Sequence, residues 1–202
     1  MSNIKNKNIK NSKNNKVKNE KLTLDITVEV PKHSSIKYEY DRKTKSIRVD
    51  RILYGPNFYP QNYGFIREAL DWDGDELDCL VISNESFQPG IIVPARIIGA
   101  MGMIDGGETD TKLIGVIDCD PRFNGIKTIQ DLPEHMFKEI QNFFETYKLL
   151  QNKEVIITGF KDAKWAIKEY HECVDLMNKY KDMDKDDFIK LMKKEHPEKY
   201  TA

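Results

Sequence analysis

The sequence contains few of the residues that build disulfide-linked or zinc-bound folds. Its cysteines and histidines are Cys79, Cys119, Cys173, His33, His135, His171 and His196. The three cysteines are odd in number, lie far apart and form no C-x-x-C pair, and no two histidines have H-x-x-x-H spacing. We therefore expect neither a disulfide framework nor a zinc site. The cysteine content indicates a reducing compartment.

Long apolar runs are also absent. No stretch approaches the roughly 20 apolar residues that a membrane-spanning helix needs. The first residues contain neither the apolar segment of a secretory signal nor the arginines of a mitochondrial presequence. These absences predict a cytoplasmic protein without membrane association.

Net charge is small, but it is unevenly distributed along the chain. The 202 residues include 32 Lys and Arg against 33 Asp and Glu, a formal charge of −1. Residues 1–21 hold seven Lys, seven Asn and one Glu, so they carry +6 and the remaining 181 residues carry −7. A Lys/Asn-rich segment buries too little apolar surface to fold. We therefore expect a disordered basic tail, residues 1–21, on an acidic folded body.

After the tail, short segments of alternating apolar and polar residues predict β-strands. These segments are 22–30, 36–41, 46–53, 77–82, 91–104 and 112–118. Gly and Pro residues separate several of them, as is usual at turns. The number and spacing of the segments favour a barrel or a sandwich.

In the last third of the chain, the spacing of the apolar residues changes to the spacing that is typical of helices. Residues 131–150 carry one apolar helical face, and Asp131 is predicted to cap this helix. A strand at 154–160 follows, and a second helix is predicted from about Asp162. Residues 184–196 predict a short amphipathic helix that either packs on the body or frays. Strands followed by helices indicate a single α+β domain.

The stretch 71–80, DWDGDELDCL, concentrates negative charge just before an apolar strand. Its carboxylates are Asp71, Asp73, Asp75, Glu76 and Asp78. Like charges this close are either fully solvated, as in a surface turn, or neutralised by cations. The spacing does not match an EF-hand loop, because the glycine comes at the fourth position and Ile82 stands at the twelfth.

A second acidic group follows another predicted strand and consists of Asp105, Glu108 and Asp110, with Lys112 close behind. Two such groups at strand ends can converge on hard cations such as Mg²⁺. Side chains that suit a polyanion are also present, namely Lys37, Arg51, Tyr59, Tyr63, Tyr147 and Lys148. This combination indicates phosphoryl transfer to water.

With these motifs the chain resembles the soluble family I inorganic pyrophosphatases of the bacterial type. The matching segments are VEVP, IKYEYD, VDR, FYPQNYGF, DGDELD, the stretch Asp105 to Lys112, and FFETYK. The resemblance implies a domain of residues 22–180 and leaves 181–202 as a C-terminal helical extension. The implied fold is α+β, an OB-like closed five-stranded β-barrel with additional short strands and two or three helices packed outside.

The resemblance also implies hydrolysis of pyrophosphate to two orthophosphates by a metal-activated water, without a covalent intermediate. Asp75 would accept the proton of the water. Several Mg²⁺ ions would be held by Asp73, Asp78, Asp105 and Asp110, with Glu29 and Glu39 in the outer shell. Contacts to phosphate would come from Lys37, Arg51, Tyr63, Lys112, Tyr147 and Lys148, supported by Tyr59. A homohexamer is implied as well.

Gly106 departs from the family pattern, which often has an acid directly after the position of Asp105, and Glu108 is the candidate to compensate. The residues alone leave three other functions open: hydrolysis of nucleotides or organic diphosphates, an OB-like nucleic-acid-binding module, and a Ca²⁺-stabilised structural protein. The acidic body argues against binding nucleic acid. The absence of an aromatic run beside the acidic cluster argues against a nucleotide substrate.

Overall fold

The computed structural model describes residues 21–200, so apart from Lys21 the predicted disordered tail lies outside the described residues. The strands are β1 Thr23–Val30, β2 Ile36–Asp41, β3 Ser46–Ile52, β4 Asn62–Leu70, β5 Glu76–Ile82, β6 Ile92–Asp105, β7 Glu108–Thr109, β8 Lys112–Ile117 and β9 Val155–Asp162. The helices are α1 Glu134–Thr146, α2 Ala163–Tyr180 and α3 Lys185–Glu195. Within the described range, no helix is both long enough and apolar enough to cross a bilayer.

Five strands close into a barrel in the order β1, β4, β5, β8 and β6, and β6 pairs again with β1. Every pairing in this ring is antiparallel except that of β5 with β8, which is parallel. Strands β7 and β9 pair with β6, while β2 and β3 form a separate hairpin. The prediction of a closed five-stranded barrel with additional strands and helices is confirmed.

The apolar side chains that set the strand and helix patterns form the core. Alternate residues of β1, including Ile26 and Val28, are fully buried. Helix α1 buries Ile140, Phe143 and Phe144 on one face, as its periodicity predicts. This face packs against the same apolar cluster that contains Tyr59 and Tyr63, so α1 forms one wall behind these tyrosines.

Two features of the fold differ from the sequence prediction. Strand β4, Asn62–Leu70, was not predicted, because its first five residues are all buried and show no alternation. The prediction that Asp131 caps α1 was wrong. Its carboxylate instead accepts hydrogen bonds at 2.8 Å from the backbone amides of Lys127 and Thr128, and α1 begins only after Pro133.

Helix α3 packs on the body. Its Phe188 and Met192 are buried in a small apolar cluster with Leu70, Trp72 and Leu176. The first two of these partners lie at the end of β4 and in the loop that follows it. The C-terminal helix therefore rests against the loop that carries the first acidic group.

Gly64 is predicted to be indispensable for the close approach of β4 to β1. A Cβ at this position would lie 2.2 Å from the carbonyl oxygen of Thr27, a backbone atom that cannot move independently. We expect Gly64→Ala to lower the free energy of unfolding by about 2 kcal/mol or more, measured by urea denaturation. Gly125→Ala is the control, since nothing lies within 4 Å of its added Cβ. Equal stability of the two variants would contradict this account.

Candidate active site

A polar cavity of about 300 Å³ brings together most of the residues that the sequence singled out. Twelve of the fourteen predicted site residues line it: Glu29, Lys37, Glu39, Tyr63, Asp73, Asp75, Asp78, Asp105, Asp110, Lys112, Tyr147 and Lys148. Arg51 and Tyr59 are not among the lining residues. Five further residues complete the lining, namely Tyr40, Phe65, Glu76, Glu108 and Lys185.

The loop between β4 and β5 holds two of the carboxylates at fixed positions. The amide of Asp71 donates to the carbonyl of Asp75 at 2.7 Å, and the amide of Gly74 donates to the carbonyl of Asp71 at 3.0 Å. Gly74 has a φ of +84°, a conformation that glycine adopts without strain. The carboxylate of Asp73 accepts a hydrogen bond from the amide of Asp75 at 3.0 Å. This turn places both side chains in the cavity wall.

Lys112 links the two acidic groups. The parallel pairing of β5 with β8 puts Lys112 opposite Asp78. The Lys112 ammonium lies 2.5 Å from a carboxylate oxygen of Asp78 and also contacts the carboxylate of Asp110. The same oxygen of Asp78 accepts a hydrogen bond from the hydroxyl of Tyr63. Asp78 is therefore fixed by a cation and a neutral donor at once.

Burial and charge determine the protonation of these groups. Burial alone would lower the pKa of Lys112, but the carboxylates of Asp110, Asp78 and Asp73 raise it well above its usual value. Burial, together with the charge of Asp78, raises the pKa of the Tyr63 hydroxyl, so this group remains a donor. Burial and the charge of Asp110 also raise the pKa of Asp73. Nine acidic side chains and four lysines line the cavity, so its acids outnumber its cations.

The β2–β3 hairpin supplies another wall of the cavity through Lys37 and Glu39, and Arg51 lies opposite Lys37 in the pairing of the two strands. The Lys37 ammonium contacts Glu39 and lies 3.3 Å from a carboxylate oxygen of Asp50, which also pairs with Arg51. Two guanidinium nitrogens of Arg51, Nε and Nη2, are buried without a hydrogen-bond partner in the described part of the chain. Buried donors of this kind are costly unless a ligand accepts from them.

Tyr59 packs against other aromatic rings and does not line the cavity. Its ring lies between those of Tyr63 and Phe143, with centroid distances of 5.4 Å and 4.7 Å, and the side chain is almost completely buried. Such tilted aromatic contacts fix the orientation of a ring. Tyr59 thus supports Tyr63 from behind.

The turn after β6 accounts for the glycine at position 106. Gly106 has a φ of +61°, where an acidic residue would be strained. Asp105 lines the cavity and contacts Lys148. Glu108 also lines the cavity, and it lies 3.1 Å from the ammonium of Lys193 on α3. The turn thus presents Glu108 to the cavity while Gly106 makes the reversal possible.

The closest set of potential metal-ligating atoms in the described residues lies behind the cavity. Single atoms of Asp71, Glu169 and Cys173 fall within 4.8 Å of one another, whereas the predicted ligands Asp73, Asp78 and Asp110 do not form so compact a set. Lys199 already neutralises Glu169 at 2.9 Å, and burial raises the pKa of the Cys173 thiol well above its usual value. We interpret this group as structural, because a protonated thiol is a poor metal ligand.

Asp71 connects the two acidic segments from behind. Its carboxylate accepts hydrogen bonds at 2.8 Å from the amide of Trp72 and, across the fold, from the amide of Thr111. Sequence reasoning assigned Asp71 no role of its own. Its almost complete burial, which distinguishes it from the neighbouring acids, is not visible in an acidic run.

Comparison with known proteins shows the family of this chain. Residues 26–178 match the family model described as inorganic pyrophosphatase. The chain belongs to the inorganic pyrophosphatase family. It is 71% identical over 181 residues to the inorganic pyrophosphatase of Malacoplasma penetrans, covering 90% of this chain and 100% of that protein. With the protein of Geobacillus stearothermophilus it shares 43% identity over 162 residues, which cover 80% and 98% of the two chains.

Solved structures of the family have the same fold. The crystal structure of the inorganic pyrophosphatase from Thermus thermophilus matches with a TM-score of 0.73 and 44% identity, covering 76% of this chain and 90% of that one. The Helicobacter pylori inorganic pyrophosphatase matches with a TM-score of 0.74 and 41% identity, covering 79% and 94%. The family match ends at residue 178, before helix α3 begins.

The donor set of the cavity fits hard divalent cations. The acids that line it offer carboxylate oxygens, and no Cys or His side chain lines the described cavity. Such oxygen-only sites suit Mg²⁺, Mn²⁺ and Ca²⁺ rather than zinc or copper. Burial raises the pKa of Asp78 although Lys112 lowers it, and a bound cation would favour the charged form of this carboxyl group.

Lys185 was not predicted as a site residue, yet it reaches the cavity from α3. Its ammonium lies 2.5 Å from a carboxylate oxygen of Asp75. Burial alone would lower the pKa of Lys185, but Asp75, Asp73 and Glu108 raise it, so the group is charged. Because Lys185 and Asp75 are separated by 110 positions, no local motif could have indicated this contact.

The buried environment of Glu29 predicts that the stability of the metal-free protein depends on pH. Its carboxylate accepts from the Tyr40 amide at 2.7 Å, and burial and the charge of Asp78 raise its pKa from 4.5 to about 8. The folded state therefore binds this proton more tightly than the unfolded state, and stability falls as pH rises between these values. Glu29→Gln removes this loss and keeps the acceptor.

We expect thermal unfolding in EDTA to show Glu29→Gln more stable than the wild type by a few °C at alkaline pH. At about pH 5, where Glu29 is still protonated in the folded wild type, the difference should be small. A difference that does not grow with pH would contradict the assigned environment of Glu29.

Proposed function

We propose that the protein hydrolyses inorganic pyrophosphate to two orthophosphates in this cavity. The observation that carries the proposal is the coexistence of a cation-binding carboxylate set with several lysines and phenols in one small polar cavity. Pyrophosphate is a compact polyanion, and its hydrolysis requires neutralisation of charge before a nucleophile can approach. Membership of the pyrophosphatase family supports the same reaction.

Several Mg²⁺ ions would be held by Asp73, Asp78, Asp105 and Asp110, with Glu29 and Glu39 further out. All six residues line the cavity. When bound, the ions would neutralise charge on the substrate and lower the pKa of a water molecule that attacks phosphorus. Lys112, which bridges Asp78 and Asp110, keeps these two carboxylates in place for that role.

Asp75 would accept the proton of the attacking water. It is the most exposed of the three acids in the loop, and its side chain lines the cavity. No Ser, Cys or His side chain lines the described cavity. We infer that this water attacks phosphorus directly, without a covalent intermediate, while the cavity carboxylates act as base and metal ligands.

The phosphate oxygens would be held by Lys37, Arg51, Tyr63, Lys112, Tyr147 and Lys148. Tyr147 is buried, and burial raises the pKa of its hydroxyl, which keeps it a neutral donor. Lys148 and Lys37 are only partly exposed, and both line the cavity. The buried, unpartnered nitrogens of Arg51 are donors that a phosphate could satisfy, and Tyr59 would support the group through packing.

A nucleotide is less suitable as substrate, because the aromatic rings of the cavity are already engaged. Tyr40 stacks on Phe65 with a centroid distance of 4.9 Å, and the Arg67 guanidinium lies 5.2 Å from the Tyr40 ring centre. One face of each of these two rings is therefore already covered, which leaves less aromatic surface on which a base could stack.

We also propose that the protein is a cytoplasmic homohexamer that binds no nucleic acid. Large apolar side chains are exposed on the β2–β3 hairpin and the following loop and after α1, namely Val49, Ile52, Tyr54, Phe58, Leu149 and Leu150. Such exposure supports contact with further copies of the chain. The acidic charge of residues 22–202 argues against nucleic acid as a partner.

The reaction is tested by measuring orthophosphate release from pyrophosphate with Mg²⁺, in parallel with ATP as substrate and with EDTA present. We expect rapid release from pyrophosphate, little from ATP, and none in EDTA. Release from ATP at a comparable rate would indicate a broader phosphohydrolase. No release from pyrophosphate with either Mg²⁺ or Mn²⁺ would refute the proposed function.

Asp75→Asn should lower the rate of pyrophosphate hydrolysis at least about 100-fold, because an amide cannot accept the proton. Divalent-cation affinity, measured by calorimetry, should change little, since Asp75 is not among the proposed metal ligands. Asp25→Asn, which changes an exposed acid of β1, is the matched control and should behave as wild type. Near-normal turnover of Asp75→Asn would remove Asp75 as the base.

A further inference from the structure

Helix α3 contributes a cation to the cavity from outside the part of the chain that matches the family model. The match ends at residue 178, whereas Lys185 is the first residue of α3. Its ammonium lies 2.5 Å from the carboxylate of Asp75, and the side chain lines the cavity beside Asp73 and Glu108. The resemblance to the family implied no role for this residue.

Several independent contacts fix the position of α3 and of the chain that follows it. Phe188 and Met192 are buried against Trp72. The hydroxyl of Tyr200 donates to the carbonyl of Trp72, and Lys193 lies 3.1 Å from Glu108. The C-terminal segment therefore contacts both acidic loops, and Lys185 is placed by packed structure.

The local geometry brings the stem of Lys185 across the acidic loop. The Cγ of Lys185 lies 3.0 Å from the position that a Cβ on Gly74 would occupy, so the glycine allows the lysine to cross here. Asp184 caps the helix by accepting from the amide of Asp186 at 3.0 Å. The crossing directs the ammonium to Asp75, at the side of the cavity where the proposed base lies.

We propose that Lys185 is a further substrate-binding residue, which donates to a phosphate oxygen of pyrophosphate next to Asp75. This inference rests on the proposed function. An ammonium has three donors, and within the described residues Asp75 is its only hydrogen-bond partner. A flexible lysine with a half-exposed side chain can exchange this contact for a phosphate oxygen without moving the helix.

The alternative is that Lys185 acts only through Asp75, as a counter-ion of the loop. A double-mutant cycle separates the two roles. Pyrophosphate binding in the presence of Mg²⁺ is measured by calorimetry for the full chain carrying Asp75→Asn, with and without Lys185→Met. If Lys185 contacts the substrate, its removal weakens binding about tenfold even where Asp75 carries no charge.

Three comparisons complete the experiment. Lys185→Arg should restore most of the affinity, because it keeps the charge. Lys190→Met is the matched control on the same helix, since its side chain is 76% exposed and pairs only with Asp187 in the described structure. Lys193→Met breaks the contact with Glu108 and shows how much affinity is lost when another lysine of the extension, which does not line the cavity, is removed. Thermal unfolding verifies that each variant is folded.

In the otherwise wild-type chain, Lys185→Met should raise KM for pyrophosphate about tenfold, with a smaller change in kcat. Unchanged affinity in the Asp75→Asn background would overturn the proposal, as would an equal loss in Lys193→Met. A rise in activity of Lys185→Met would also overturn it, because the pair with Asp75 would then be inhibitory. Failure of the wild type to hydrolyse pyrophosphate would refute the proposed function itself, while the calorimetric comparison would still report on Lys185.

Discussion

The site depends on Lys112, whose ammonium forms ion pairs with both Asp78 and Asp110 and holds the two carboxylates together. The only parallel pairing in the barrel produces this contact, because it sets β8 in register with β5 and places Lys112 opposite Asp78. Removing the lysine would leave two carboxylates close together without a counter-charge, which is strongly unfavourable in a buried position. The barrel topology and the chemistry of the cavity are therefore linked through a single side chain.

The acidic loop needs support from behind, because its carboxylates repel one another. Asp71 binds the amide of Thr111, and Trp72 is buried against Phe188 of α3. These contacts hold the loop on its inner side, so that Asp73 and Asp75 remain in the cavity wall. A mobile loop would let the carboxylates separate, and the concentration of negative charge that attracts cations would be lost.

Much of the fold follows from local sequence pattern. Where the pattern failed to predict the structure, there is a definite physical reason. Alternation predicted β1 and β2 correctly, but β4 was missed because its buried start shows no alternation. The cavity-lining acids could be proposed because they occur in compact motifs, and the cavity brings twelve of the fourteen predicted residues together. The contact of Lys185 with Asp75 arises only from tertiary packing between distant segments, so no spacing rule could predict it.

The most direct test of this account is a crystal structure of the full chain with Mn²⁺, using anomalous scattering to locate the ions. We predict anomalous peaks in the cavity, within coordination distance of Asp73, Asp78 and Asp110. Peaks only at the group formed by Asp71, Glu169 and Cys173, or no peak in the cavity at millimolar Mn²⁺, would contradict the claim that the cavity is a divalent-cation site.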